Sequence, residues 1–159
     1  MDVLLRDVIE DDLPTFFEQH QDPEANYMAA FTTENPSDQS AFRAHWTKIL
    51  SDDTIITKTI LVEGTVVGHV VKFEQFGQPE VSYWLGREYW GKGIATTALI
   101  AFLAFVQVRP LYARAAKDNI GSLRVLEKCG FMIVGEDKGF ANARSQAVEE
   151  CVLRLDTNV

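Results

Sequence analysis

Residues 80–99 read EVSYWLGREYWGKGIATTAL. EVSYWL has the character of a strand, GREYWGKG is a glycine loop, and a helix follows from about Ile94 to Val106. The order is therefore strand, loop, helix. A helix N-terminus leaves backbone N–H groups without partners and carries the positive end of the helix dipole, so it attracts anions. Gly91 and Gly93 allow the backbone to approach such an anion closely, and Lys92 adds charge. A phosphate group fits this loop on physical grounds.

Three other readings of the loop fit less well. Residues 86–92 match G-x-x-x-x-G-K, but Gly93 stands where a Ser or Thr would hold magnesium, and Tyr89 and Trp90 are bulky for a phosphate cradle. Gly91 and Gly93 begin a G-x-G-x-x-G pattern, but Thr96 occupies the third glycine position and no βαβ unit surrounds it. A plain turn before a helix needs one glycine. Gly91, Lys92, Gly93 and Ala95 together exceed that need.

Working outward, TIITKTILV and TVVGHVVKF are β-branched strands joined by a tight turn at Glu63-Gly64. A second turn at FGQ leads into EVSYWL, so the middle of the chain is an antiparallel meander. Before it, VLLRDV at 3–8 reads as a strand, and a helix with Pro14 in its first turn follows, capped by Asp11 or Asp12. Residues 22–36 are rich in Asp, Pro, Asn and Thr and read as a loop. The next helix carries Phe42, Trp46, Ile49 and Leu50 on one face, behind Ser37 or Asp38 as cap. After the glycine loop and its helix come a strand, LYARAA, and a helix, NIGSLRVLEKCG, with Asn119 as N-cap and Gly130 at its end. FMIVGE and VEECVLRL close the chain as strands across a loop at 137–147. The expected fold class is α/β, a mixed α+β sheet of about seven strands with about four helices, in one domain covering residues 1–159.

The chain has 159 residues and a mass of 17.9 kDa, with 47% hydrophobic residues. Fifteen Lys+Arg stand against 23 Asp+Glu, a net charge of −8. That balance argues against nucleic-acid and anionic-membrane binding, both of which need a basic face, and suits a cationic or amine partner. Cys129 and Cys151 are too few for a disulfide framework and read as thiols of a reducing cytoplasm. No zinc pattern, signal peptide or membrane span is expected.

At two places the sequence resembles the GNAT superfamily of acetyl-CoA-dependent N-acetyltransferases, and within it the RimJ/RimL-like branch. The family loop reads Gln/Arg-x-x-Gly-x-Gly/Ala. Trp90, Gly93 and Ala95 take its first, fourth and sixth positions, and YWGKGIAT resembles the RimJ/RimL version. NIGSLRVLEKCGF, residues 119–131, is similar to the family's N-x-x-S…E-K-x-G-F. The resemblance covers roughly residues 80–134 and implies a GNAT fold with acetyl-CoA as co-substrate and no metal.

It also implies roles. The backbone of Tyr83, Trp84 and Leu85 would pair with the pantetheine arm as an added strand and point at the thioester oxygen. Gly91, Lys92, Gly93, Ile94, Ala95 and Thr96 would hold the pyrophosphate. The meander's last strand would splay from LYARAA. Asn119 is both helix cap and cofactor contact, and Arg124 reaches toward the nucleotide phosphates. Many superfamily members carry a Tyr seven residues after the Asn to protonate the leaving thiolate. Here that residue is Leu126, so Ser122 or a water takes the task. Glu80 is the candidate general base, acting through water, against the alternative of an exposed strand-end charge; His69 is the rival. Cys129 as an acetyl-carrying nucleophile lacks an evident His partner.

The expected activity is acetyl transfer to an amine, either a protein or peptide N-terminal α-amine or a small molecule. An α-amine with a pKa of about 7.7–8.0 loses its proton more readily than a lysine side chain near 10.4. The contrasting class is a non-catalytic acyl-CoA sensor that keeps the loop and lacks the base. Acceptor specificity is expected at 22–36, the second helix and 137–147. The acceptor itself and any homo-oligomer are left open.

Overall fold

Glu63 and Gly64 take positive φ values of 49° and 82°, and Phe76 and Gly77 take 53° and 73°. Two consecutive positive values make the turn whose twist suits a two-residue hairpin. Each turn folds the chain back on itself, as the sequence predicts. The computed structural model describes residues 2–157. Its strands are β1 (Val3–Arg6), β2 (Ile56–Val62), β3 (Thr65–Gln75), β4 (Gln78–Leu85), β5 (Leu111–Ala116), β6 (Met132–Ala141) and β7 (Gln146–Leu155). They form one sheet in the order β1-β2-β3-β4-β5-β7-β6. Every neighbouring pair is antiparallel except β4 and β5.

Helices α1 (Leu13–Gln19), α2 (Pro23–Ala29), α3 (Gln39–Ser51), α4 (Ile94–Phe105) and α5 (Ile120–Lys128) cover the sheet. β3 divides them, with its alternation shifted by one residue at the bulge opposite Ile60 and Leu61. Val67 and Val70 enter the main core with Ile94, Leu99 and Phe102 of α4 and Leu123 of α5. Val66 and His69 face the other way, toward Phe16 of α1 and Trp46 of α3.

Three expectations need correction. The 22–36 stretch is not all loop, because α2 occupies Pro23–Ala29. Asp22 accepts hydrogen bonds from the Glu24 and Ala25 N–H groups, and Pro23 sits at the first helical position. The sheet therefore has five helices rather than four. The 137–147 stretch is mostly strand. β6 runs to Ala141 and β7 starts at Gln146, because the charged residues Glu136, Asp137 and Lys138 lie on an exposed edge that tolerates them. Finally, Asp12 precedes α1 without capping it. Its buried carboxylate accepts from both Arg6 guanidinium nitrogens at 2.7 and 2.8 Å, from Thr59 Oγ1 at 2.7 Å and from the Ile9 N–H at 3.0 Å. Asp12 thereby ties the first strand and turn to β2.

β4 pairs with β3 along its whole length, from Gln78 to Leu85. With β5 it pairs only at Glu80↔Tyr112. Beyond that point the two parallel strands diverge. Arg114 of β5 sits beside the fork and joins three strands to its own. It lies 3.5 Å from the Glu80 carboxylate of β4, 3.0 Å from Asp137 of β6 and 2.7 Å from Glu150 of β7. Glu80 and Glu150 are largely shielded from water, so their charges need this partner.

Arg114→Met keeps the length of the side chain and removes the charge. It should destabilise the protein by about 3–5 kcal/mol, the cost of leaving a buried ion uncompensated. The urea midpoint reads this directly. A midpoint within error of wild type would show that the fork is held by apolar packing alone.

Candidate functional site

The loop after β4 turns through a short 3-10 segment at Arg87–Tyr89 and enters α4 at Ile94. Trp90 anchors it by donating its indole N–H to the Leu85 carbonyl at 2.9 Å. Gly91 and Gly93 take φ values of 73° and 80°, and a Cβ on either would meet no atom within 4 Å. No side chain caps α4. The helix therefore presents its first N–H groups to open space, in the geometry that binds an anion.

This loop closes one end of a cavity of about 370 Å³. One wall is Tyr83, Trp84 and Leu85 of β4. The end is Gly91, Gly93 and the first helical residues Ile94, Ala95 and Thr96. The opposite wall is Asn119, Ser122 and Arg124 of α5 and its cap. Lys92 stands on the loop outside these walls. β4 and β5 part beyond Glu80, so the splay expected from the resemblance is present.

A second cavity of about 1250 Å³ lies against the same strands. Tyr83, Trp84, Asn119 and Ser122 line both cavities and mark where they meet. Glu80 lines the larger one and is 3% exposed, not the exposed strand-end charge of the alternative reading. Burial pushes its carboxyl above the usual range, while Arg114 and Gln75 pull it back. A raised pKa makes a carboxylate a better base.

The histidines behave differently. His20 stacks on Trp84 at 4.0 Å between centroids, and His69 packs 4.6 Å from Phe16 and 5.0 Å from Trp46. Both line the larger cavity, and His20 Nε2 and His69 Nδ1 are buried without a hydrogen-bond partner. Burial lowers His20 to about 4 and His69 to about 3. His69 is therefore a poor base at neutral pH. The Cys129 thiol is pushed up to about 11 by burial and stays protonated, which removes it as a nucleophile.

Asn119 carries the cap role expected of it, accepting the Ser122 N–H at 3.3 Å, and its amide donates to the Met28 carbonyl at 3.2 Å. Met28 lies in α2, which sequence reasoning missed. The turn between β6 and β7 is fastened to the end of α2 and the segment after it. Asn142 donates to the Thr32 carbonyl, the Ala143 N–H to that of Ala30, and Arg144 to that of Tyr27. Arg144 also pairs with Asp118 at 2.7 and 2.9 Å. Among the described residues there is no cluster of three or more His, Cys, Asp or Glu that could hold a metal, and no helix long and apolar enough to cross a membrane.

Comparison with known proteins gives a family. The model of the acetyltransferase (GNAT) domain matches residues 2–132. A Bacillus subtilis (strain 168) protein provisionally named as a ribosomal N-acetyltransferase, YdaF, is 27% identical over 117 residues, 67% of this chain and 64% of that protein. The matches span 58–64% of the length of the curated relatives. Two solved structures share the fold. One is a ribosomal-protein-alanine N-acetyltransferase from Brucella melitensis, with TM-score 0.78 and 22% identity over 96% of this chain and 99% of that one. The other is spermidine N-acetyltransferase from Vibrio cholerae in complex with CoA and spermine, with TM-score 0.77 and 20% identity over 96% and 95%.

The depressed histidines make stability depend on pH. An unfolded chain binds protons at a His near pH 6.5, whereas folded His20 and His69 wait until about 4 and 3. Their contribution is complete above pH 6.5 and is lost as pH falls toward 4. The limiting slope is about 1.4 kcal/mol per pH unit for each. Glu80, shifted upward, offsets part of this. The melting temperature should fall steadily from pH 6.5 to 4.5, and the fall should shrink in His69→Phe. A flat profile would mean that these rings gain protons within the fold.

Proposed function

The chain belongs to the GNAT acetyltransferase family, and on that premise we propose that it is an acetyl-CoA-dependent N-acetyltransferase of the RimJ/RimL-like branch, active as one domain. The observation that carries this reading is the slot between α5 and the stretch of β4 that has parted from β5, closed at one end by the uncapped N-terminus of α4. Acetyl-CoA supplies the activated acyl carbon. The α4 N–H groups, with Gly91 and Gly93, bind its pyrophosphate, and Arg124 adds a positive charge on the opposite wall. The diverging edge of Tyr83–Leu85 offers backbone groups that β5 does not use. These pair with the pantetheine arm and donate to the thioester oxygen, which stabilises charge that develops there.

Glu80 acts as general base through water at the inner end of the larger cavity. Ser122 delivers the proton that the leaving thiolate takes. The acceptor is an amine that enters the larger cavity, and an N-terminal α-amine is favoured by its lower pKa. The names of the B. subtilis relative and the Brucella neighbour support a protein N-terminus; the spermidine enzyme supports a small polyamine. An acceptor screen that follows thiol release from acetyl-CoA across N-terminal peptides and polyamines separates the two. Absence of turnover with every amine, with CoA still bound, would favour a sensor.

Acetyl-CoA should raise the melting temperature, because it binds only the folded state, and ATP or NADH should not. Gly93→Val should abolish most of that rise. It places a branched side chain at positive φ and in the open space where the anion approaches. The far-ultraviolet circular dichroism should stay native. An undiminished CoA shift in Gly93→Val would remove the loop from the binding site.

Glu80→Gln should lower the rate by about 10²–10⁴, the usual worth of general base catalysis. Affinity for CoA should hold. Raising the pH should recover part of the rate, since more acceptor is then already neutral. A Glu80→Gln enzyme as fast as wild type at neutral pH would move the proton path to ordered water.

A further inference from the structure

Tyr83 Oη lies 3.1 Å from Ser122 Oγ. The contact follows from strand alternation. Val81, Tyr83 and Leu85 face the core beneath α4 and α5, while Trp84 faces the other side against His20. The Tyr83 ring therefore runs under α5. Asn119 holds Ser122 in the first turn of that helix by accepting its N–H. Leu126, at the helix position where a tyrosine is absent, is a core residue with 3% exposure. The phenol reaches the helix from the sheet instead. Both hydroxyls line both cavities, at the junction where an acyl donor in the slot would meet an amine from the larger space.

We propose that Tyr83 is the proton source behind Ser122, so that the two hydroxyls act as a relay to the leaving thiolate. This rests on the acetyl-transfer reading. As the amine nitrogen bonds to the acyl carbon, the carbon–sulfur bond breaks and its electron pair passes to sulfur. The Ser122 proton moves to sulfur, and the Tyr83 proton replaces it on Ser122. The acceptor nitrogen gives its own proton to the water held by Glu80, and solvent restores the phenol. Protons and charge balance across the step.

The chemistry favours a pair over a lone serine. A serine that protonates a thiolate alone is left as an alkoxide, which is far more basic than a phenolate. Backed by Tyr83, the negative charge comes to rest on the phenol. Burial raises the Tyr83 pKa and keeps the phenol protonated before the step, while the hydrogen bond with Ser122 pulls the other way, toward the phenolate. Cys129, at the end of α5, stays neutral. Arg124 and Lys128 stand on the wall of the smaller cavity. Tyr83 acts through Ser122 and is a positioning and proton-supplying residue.

Tyr83→Phe keeps the ring and removes the hydroxyl. It should lower kcat about 10²-fold, with the KM for acetyl-CoA unchanged. Ser122→Ala should cost a similar factor, and the double variant should be no slower than the worse single one, because the residues act as one unit. A measurement without turnover reads the same pair. The thiol of CoA bound to each variant, followed by thiolate absorbance against pH, should titrate at a different pH from that in wild type. Unfolding of Tyr83→Phe is checked by its melting temperature, and Ser122→Ala, a small change at a half-buried position of α5, then carries the thiol titration alone. Wild-type kcat in Tyr83→Phe, losses that multiply in the double variant, or an unmoved thiol titration in both overturns the relay. Failure of the unaltered protein to bind CoA overturns the acetyl-transfer reading, and the relay with it.

Discussion

Arg114 is the contact on which the rest of the site depends. A sheet that forks would expose or strand the polar groups at its branch point, and this one places charges there. One guanidinium faces carboxylates from β4, β6 and β7. The same ionic cluster ends the pairing of β4 with β5 and keeps the base candidate, Glu80, buried but compensated. Stability and reactivity are coupled at this point. The charge that makes the fork tolerable also limits how far burial can raise the Glu80 carboxyl.

Downstream of the fork, two stretches of backbone are left free by geometry. β4 satisfies its β3 side completely and leaves the other side open from Val81 to Leu85. α4 begins with a left-handed glycine and no side-chain cap. Neither feature favours stability in isolation, since unpaired backbone N–H and C=O groups are costly when shielded from water. Together they set polar backbone groups along one wall and one end of the cavity, with Asn119, Ser122 and Arg124 on the wall opposite. Trp90 contributes by holding the loop back against Leu85.

Much of this was legible in the sequence because it rests on local signals. The hairpin turns, the glycine loop, the Asn119 cap and the succession of strands along the chain follow from residues close together in the chain. What escaped is tertiary. Asp12 is a good cap by type, yet Arg6 and Thr59 draw its carboxylate inward. Asp22-Pro23 is a helix start, but a single turn signal inside a Pro- and Asn-rich run reads equally as loop. Arg114 reads as a strand charge, and its three partners come from 23 to 36 residues away. Tyr83 was assigned through its backbone alone. No spacing rule links residue 83 to residue 122; only the alternation of β4 under α5 brings them together.

The fastening of the 142–144 turn to the end of α2 has a consequence for how such a protein can change. Asn142 and Arg144 reach back across 110 to 117 residues of chain to Thr32 and Tyr27. The same segment also serves the slot, because Met28 and Ala29 line it and the Met28 carbonyl holds Asn119. Arg144 grips Asp118, the residue next to Asn119. Lengthening either segment would therefore reshape the larger cavity and shift the Asn119 side of the slot with it. A new acceptor and the grip on the donor are mechanically coupled through α2, so retuning one draws on the other.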